Sequence, residues 1–221
     1  MIGSAATFGL LAGVVAAACT VPYVRDTLRG ATVPHRGSWL IWGVLEVVAL
    51  QAQRADGASW SLVPLMIQAL GTCLVWTLSF WFGIGGLSRV DLALLGLAGL
   101  GVVGWLAVQK PVVATTCVIA ADLVAAIMMA PKAWRDPHSE TLSTFVLASV
   151  SGGLMVGSVG SLSAPLLMYP VYFVIVNAAL AGAILHGRVV ADHRNLRARP
   201  TTGRPSAGRP RLPLVEHPTR L

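Results

Sequence analysis

The chain has 221 residues, of which 55% are hydrophobic and only 11% are charged. Soluble globular domains carry about 25% charged residues, so this composition excludes a soluble enzyme, a disordered chain and a disulfide-stapled secreted domain. The formal net charge is +7, and eight of the sixteen Lys and Arg residues follow Leu185. Because the basic charge is concentrated in one terminal segment, we expect no nucleic-acid-binding groove. The apolar composition predicts an integral membrane protein.

Seven segments are long and apolar enough for membrane-spanning helices, which need about 20 mainly apolar residues. They cover residues 4–22, 38–53, 61–84, 90–108, 111–130, 141–160 and 164–186. The second is the weakest, because Glu46, Gln51 and Gln53 interrupt it. The fourth is rich in glycine, which lets helix backbones approach closely. We therefore predict an all-α membrane protein with seven transmembrane helices.

The loops differ in their content of Lys and Arg. If the N-terminus lies outside, the inward-facing loops and the C-terminal segment hold fourteen of these residues and the outward-facing loops hold two. An excess of Lys and Arg marks the cytoplasmic side of a membrane protein. This pattern predicts an external N-terminus and a cytoplasmic C-terminus.

Residues 187–221 contain five prolines and eight arginines and almost no aliphatic periodicity. Such a segment cannot bury enough apolar surface to offset the entropy of ordering it, so we predict a disordered basic cytoplasmic tail. Two roles remain open for it. The tail enforces the topology, or its arginines contact anionic lipid head groups.

Two cytoplasmic loops resemble each other. Residues 22–30 read PYVRDTLRG and residues 131–141 read PKAWRDPHSET. The shared loop or hinge residues are Pro22, Arg25 and Asp26 in the first loop and Pro131, Arg135 and Asp136 in the third. We expect each proline to end the preceding helix and each Arg-Asp pair to bridge to the opposite half. Ser38 and Thr141 are predicted to cap the helices that follow.

Each of these loops follows the first helix of a group of three. Because the fourth helix reverses the direction of the chain, both groups have the same orientation, which is a parallel repeat about an axis along the membrane normal. We predict a 3+1+3 layout. It consists of a first triple-helix bundle at 1–84, a linker helix at 85–110, a second bundle at 111–186 and the tail at 187–221.

This layout, the external N-terminus and the proline near the end of the first helix of each group resemble the PQ-loop superfamily. That superfamily includes the SWEET sugar transporters and lysosomal exporters of amino acids and cystine. The resemblance covers residues 5–186, and 22–42 and 131–141 are most similar to uncharacterised bacterial seven-helix membrane proteins. The name-giving Pro-Gln dipeptides are replaced by Pro22-Tyr23 and Pro131-Lys132. The resemblance implies a bacterial plasma-membrane protein.

Two acidic residues lie deep within predicted spans. Glu46 follows Ser38 by eight residues and Asp122 precedes Pro131 by nine, which places both about 12–14 Å from the cytoplasmic ends of their helices. An ionisable residue at this depth is costly and is a functional candidate by default, and removal from water favours the neutral form of a carboxyl. Three roles stay open: proton coupling, direct contact with a solute, and a structural role as hydrogen-bonded acids or acids in a wet vestibule.

The resemblance to SWEET proteins implies a substrate site framed by an asparagine on the third helix of each group and a tryptophan on the second. Asn177 matches the asparagine in the second group, and the first group offers Gln68 or Thr72 instead. Trp42 is the candidate stacking residue, whereas Trp39 is predicted to be an interfacial anchor. We predict a solute site that includes Trp42, Gln68, Asn177 and Tyr172.

Pro64 and Pro170 lie in the third helix of each group. Prolines within spans interrupt the backbone hydrogen bonding, and transporters use such interruptions as hinges. Two interpretations remain open for this pair: hinges at the site, or kinks without a functional role.

These observations predict a carrier that moves a small polar solute, similar to a sugar or an amino acid, by alternating access, with proton coupling as an open feature. The alternative is a non-transporting seven-helix protein with a structural, lipid-binding or partner-binding role. No nucleotide-binding loop, catalytic nucleophile motif or metal motif is present in the sequence, so we expect no enzyme, no cofactor and no metal site. The expected partners are the solute and the lipid bilayer, and the layout also allows a homo-oligomer.

Overall fold

The computed structural model describes residues 2–198, apart from the side chains of residues 2, 128, 132 and 194–198. Within this range 83% of the residues are helical and none forms a strand. The helices are α1 (Ile2–Leu28), α2 (Arg36–Ala55), α3 (Leu62–Phe82), α4 (Arg89–Val108), α5 (Val112–Arg135), α6 (Leu142–Val156) and α7 (Ala164–Ala198), with a short 3-10 helix at Pro137–Ser139. Each apolar segment of the sequence coincides with one α-helix.

Five of the α-helices in this range, α1, α3, α4, α5 and α7, are long and apolar enough to cross a membrane by length and composition. The other two are α2, in which Glu46 and Gln51 interrupt the apolar sequence, and α6, which has 15 residues. This is the pattern of an integral membrane protein. The sequence predicted the second segment to be the weakest membrane span, and α2 is indeed not among the five candidate spans.

The prediction that Pro22 and Pro131 end their helices is wrong. Both lie inside helices, since α1 continues from Pro22 to Leu28 and α5 continues from Pro131 to Arg135. A proline inside a helix removes the hydrogen bond to the carbonyl four residues earlier, and its ring clashes with that carbonyl, but the turns that follow both prolines remain helical. Arg25, Asp26 and Arg135 were expected in loops and lie instead in the last turns of their helices. An arginine there interacts favourably with the helix dipole. Asp136 lies beyond α5, as expected for a loop residue.

The start of α2 also differs from the prediction. His35, not Ser38, is the N-cap, and the Ser38 backbone N–H donates to His35 Nδ1 at 3.4 Å. An imidazole nitrogen accepts from the helix start in the same way as a side-chain oxygen does. Thr141 occupies the N-cap position of α6 as predicted, although its side chain makes no capping hydrogen bond.

The boundary predicted at residue 187 is wrong as well, because α7 continues to Ala198. No proline follows Leu185 until Pro200, so nothing in this stretch breaks the helix. The remainder of the predicted tail, 199–221, lies outside the described residues.

Pro64 does not interrupt a helix. It is the third residue of α3, and the first turn of a helix has no internal acceptor for its N–H groups. The prediction that Pro64 breaks its span is therefore wrong. Pro170, in contrast, lies within α7 and is buried, so it removes the hydrogen bond to the carbonyl of Leu166.

The helices form a closed ring. α3 packs against both α1 and α2, and α7 packs against both α5 and α6. The ring is completed by contacts of α1 with α6 and of α2 with α5, so its order is α1, α3, α2, α5, α7, α6. α4 packs against α5 and α2. A space at the centre of this ring is therefore bordered by both helix groups.

One end of the ring, where α1 begins, is closed by packing. Ala58, Val159 and Leu166 form a buried apolar cluster there, with Leu62 and Leu167 packed against it. The Gln53 side-chain amide donates to Pro165 O at 3.0 Å and joins α2 to α7. Ser151 Oγ donates to Ala12 O at 2.9 Å and joins α6 to α1.

At the opposite end, polar contacts join the two halves around Thr141. Thr141 Oγ1 donates to Asp26 Oδ2 at 3.3 Å and shares a hydrogen bond of 3.2 Å with Thr32 Oγ1. Asp26 thus reaches the opposite half, as expected from the sequence. Arg25, however, forms an ion pair with Asp26 of its own helix, at 2.9 Å.

The contact between α4 and α5 provides a test of the helix packing. A Cβ atom added at Gly101 would lie 2.5 Å from the Cβ atom of Cys117, whereas one added at Gly99 would meet no described atom within 4 Å. We expect Gly101→Ala to destabilise the protein by about 1–3 kcal/mol through overpacking, as measured by thermal unfolding in detergent. Gly99→Ala is the matched control for helix propensity; equal stability of the two variants would contradict this packing.

Candidate functional site

A cavity of about 670 Å³ lies at the centre of the ring. All six ring helices and α4 contribute to its walls. Its polar and aromatic lining residues are Tyr23, His35, Ser38, Trp39, Trp42, Glu46, Gln68, Thr72, Ser88, Asp91, Asp122, Glu140, Thr144, Phe145, Tyr169, Phe173 and Asn177. This volume lies within the range of about 300–1,000 Å³ that is typical of small-molecule sites.

The cavity extends towards one end of the ring. Its lining continues from buried Glu46 to Val33, Ile84 and Leu87 in the connecting segments beyond the helices. These three side chains are exposed, Ile84 by 61%. The mouth therefore lies where α1 ends and α2 begins, while the apolar cluster around Leu166 closes the other end.

Glu46 and Asp122 both line this cavity. Glu46 is 8% exposed and interacts electrostatically with Asp122, which is half-buried. The Tyr172 hydroxyl donates to Asp122 Oδ2 at 2.8 Å, and Trp42 also interacts with Asp122. Two acidic groups from different helices thus share one solvent-accessible space.

Helical spacing explains why these side chains converge. On α2, Trp42 precedes Glu46 by four residues, so both lie on one face. On α5, the lining residues Val118 and Asp122 show the same spacing. Because α2 and α5 are neighbours in the ring, these two faces meet at the cavity.

Two acceptor atoms at the site have no partner among the described residues. They are Glu46 Oε2 and Gln68 Oε1, and both are buried. The Glu46 side chain also faces the Thr72 hydroxyl. Buried polar atoms are nearly always hydrogen-bonded, so two unsatisfied acceptors in one cavity indicate a place for a ligand or for water.

Most of the expected solute site is assembled here. Trp42, Gln68 and Asn177 all line the cavity, together with the two carboxyls. Asn177 Nδ2 donates to Phe173 O one turn earlier on its own helix, at 2.9 Å. Tyr172 is not among the lining residues; the tyrosine that lines the cavity from α7 is Tyr169.

The regular spacing of positions along a helix explains why Tyr169, and not Tyr172, lines the cavity. Lining positions on α7 are Tyr169, Phe173, Val176, Asn177 and Leu180, which follow the period of 3.6 residues. Tyr172 lies off this stripe, against α5. The stripe that Asn177 defines in the sequence could have identified Tyr169.

The predicted loop and hinge residues lie away from the cavity. The lining does not include Pro22, Arg25, Asp26, Pro131, Arg135, Asp136, Pro64 or Pro170. Of these, Asp26 contributes to the contact between the two halves through Thr141. These residues do not border the space that a solute would occupy.

Trp39 has a different position from the one expected. It lines the cavity, its ring centroid lies 4.6 Å from that of Tyr23 and 5.4 Å from that of Trp42, and its indole N–H donates to Tyr23 Oη at 3.3 Å. The expectation of an interfacial anchor is therefore wrong for this residue. A position near the end of a span does not reveal which face of the helix is turned inward.

The charge of the lining is one-sided. It includes Glu46, Asp91, Asp122 and Glu140, but no Lys or Arg occurs among the described residues that line the cavity. Arg36, which lies nearby at the start of α2, points away: its Nε donates to Ser79 O at 2.9 Å at the end of α3. The cavity is therefore acidic.

Within residues 2–198, no group of three or more His, Cys, Asp or Glu side chains is arranged to hold a metal ion. No family model matches the chain, and no curated protein or solved structure matches it. The geometry of the cavity therefore carries the functional argument.

The position of the mouth can be tested by cysteine labelling. In a background without Cys19, Cys73 and Cys117, we expect Asn177→Cys to react rapidly with a water-soluble maleimide in solubilised protein, because residue 177 borders the open cavity. Leu166→Cys, in the apolar cluster of the closed end, should react much more slowly. Mass spectrometry of the intact protein measures both rates, and equal rates would contradict a cavity that opens at one end only.

Proposed function

We propose that this protein is a membrane carrier that moves a small polar solute by alternating access. The observation that carries the proposal is the carboxyl-lined cavity, which is closed at one end of the helix ring and reaches exposed loops at the other. Such a space matches one state of a carrier, since alternating access opens a central site to one side at a time. A dry, sealed bundle would have favoured a structural role.

We further propose the 3+1+3 layout of the PQ-loop and SWEET type. The contacts support it, because α3 packs between α1 and α2 in the same way as α7 packs between α5 and α6. The two main interfaces between the groups, α1 with α6 and α5 with α2, are also equivalent under such a repeat. The two halves would then move about the cavity between them.

The proposed orientation places the mouth of the cavity in the cytoplasm. The mouth lies at the end where α1 and α5 finish, and Arg25, Arg29, Arg36, Arg89 and Arg135 are at this end. By the distribution of positive charge, this is the cytoplasmic side. The conformation would thus be inward-open.

The closed end indicates what the opposite conformation requires. An outward-open state would open the apolar cluster of Ala58, Val159 and Leu166 and separate the hydrogen bonds of Gln53 with Pro165 O and of Ser151 with Ala12 O. Each of the two hydrogen bonds has a net stability of about 0.5–1.5 kcal/mol. The apolar surface that this opening exposes adds to the cost.

Transport can be measured in proteoliposomes with a panel of sugars, amino acids and small amines. For any solute that the wild type carries, we expect Trp42→Ala and Asn177→Ala to reduce the initial uptake rate by about tenfold, since loss of one good contact of about 1.4 kcal/mol has that effect. Thr116→Ala is the matched control, because Thr116 is exposed and bonds only to Val112 O of its own helix.

Two results would count against the proposal. If both cavity variants took up every carried solute at the wild-type rate, the cavity would not be the solute site. Absence of uptake by the wild type across the panel, in protein that is folded, would favour the non-transporting alternative.

Proton coupling is the second part of the proposal. Asp122 is faced by Tyr172 and Tyr169 from α7 and by Trp42 and Glu46 from α2. If its carboxyl exchanges a proton in each cycle, the wild-type uptake rate should change with an imposed pH gradient. Asp122→Asn, which cannot exchange a proton, should lose this dependence.

Asp192→Asn is the control for this experiment, since Asp192 is exposed on α7 and does not line the cavity. Initial rates are compared with and without the gradient at the same internal pH. If the uptake rate of Asp122→Asn depended on the pH gradient as the wild-type rate does, proton coupling through this residue would be contradicted.

A further inference from the structure

The deep part of the cavity has two acidic side chains and no basic partner. Glu46 and Asp122 interact with each other, and the described lining includes no Lys or Arg. The nearest groups to Asp122 are hydroxyl and indole donors from Tyr172 and Trp42. A bound cation would favour the ionised form of these carboxyls, and no Lys or Arg of the described lining competes with it.

The buried atoms that lack hydrogen-bond partners also favour a ligand with donors or a positive charge. Glu46 Oε2 and Gln68 Oε1 are both acceptors, and neither has a partner among the described residues. A ligand that completes this site would supply hydrogen-bond donors or a positive charge, or both. A carboxylate ligand would bring two more acceptors and a repelling charge, so it is disfavoured here.

Aromatic surfaces border the two carboxyls. Trp42 and Trp39 are in edge-to-face contact on α2, and Tyr169 stacks with Phe173 on α7 with ring centroids 6.0 Å apart. Tyr169 also interacts electrostatically with both carboxyls. Carboxylates together with aromatic faces form the usual environment of an organic cation, which is attracted to the ring faces as well as to the negative charge.

We propose that the cavity binds a small organic ammonium ion, with its cationic group between Glu46 and Asp122 and its carbon atoms against Trp42 and Tyr169. The proposal rests on the transport function proposed for the same cavity and narrows the solute to one class. A neutral sugar offers no charge that would favour ionised carboxyls, whereas an ammonium ion offers a positive charge to both carboxyls and apolar carbon atoms to the aromatic rings.

Binding is tested on the full-length protein in lipid nanodiscs by isothermal titration calorimetry at neutral pH. The probes are choline and its neutral tert-butyl analogue, together with protonated ethanolamine and its neutral analogue n-propanol. Within each pair the size is nearly the same; the choline pair differs in charge alone, and the ethanolamine pair differs in charge and in N–H donors. We expect at least one cation to bind about tenfold or more tightly than its neutral analogue, since charge-assisted contacts exceed neutral ones by at least this factor.

Side-chain variants locate the site. Glu46→Gln and Asp122→Asn each replace a carboxyl that can ionise by a neutral amide of nearly the same volume, and each should weaken binding of the cation by about tenfold and leave the neutral analogue unaffected. Asp192→Asn removes an exposed charge outside the cavity and should have no effect. If a carboxyl variant fails to fold, Trp42→Leu, which keeps an apolar wall but loses the aromatic face, is the second test and should also weaken the cation selectively.

The outcomes separate this inference from the proposed transport function. Equal affinities within both pairs, tighter binding of glucose or of an inorganic cation such as Mg²⁺ than of either ammonium ion, or cation binding that the three cavity variants leave unchanged would overturn the inference. Transport of a neutral solute with no ammonium binding would also overturn it and leave the carrier function intact. Selective ammonium binding without uptake would support the binding site and overturn transport.

Discussion

The free-energy cost of holding two carboxyls within an apolar helix ring is the constraint on which the rest of the structure depends. Glu46 and Asp122 cannot face lipid, so α2 and α5 must turn these faces towards a space that water or a polar ligand can reach. The ring provides that space, and the donors on Tyr172, Trp42 and Thr72 partly compensate the acidic groups. Both the position of the cavity and its acidic character follow from this requirement.

The two ends of the ring are built from different chemistry. The closed end combines the apolar cluster around Leu166 with single hydrogen bonds between the halves. The open end is lined by loop residues and held by polar contacts around Thr141. Apolar burial seals one end against water, whereas polar groups at the other tolerate it. A cavity that opens towards one end of the ring results.

The cavity is acidic because the arginine side chains near it bond elsewhere. Arg36 lies close to the mouth, yet its guanidinium donates to carbonyl groups at the end of α3, where the negative end of the helix dipole favours it. Arg188 likewise donates to Pro137 O and Glu140 O beside the 3-10 helix. Because these cations bond to backbone carbonyls, they do not neutralise the two deep carboxyls. The basic composition of the chain and the acidity of its cavity are therefore compatible.

The sequence by itself determined the positions of the seven α-helices within residues 2–198 and the membrane class, because apolar length and hydropathy are local properties; five of these helices, not the predicted seven, are long and apolar enough to cross a membrane. It also identified Glu46 and Asp122, since a buried charge is costly in any fold. It misplaced the helix ends at Pro22, Pro131 and residue 187, where one missing hydrogen bond or a basic composition does not stop a helix. Only the tertiary structure decided that α3 and α7 take the middle positions, that Tyr169 and Trp39 face the cavity while Tyr172 supports Asp122, and that one end is closed. These features depend on how each helix is rotated about its axis, which is set by packing against neighbours distant in the chain.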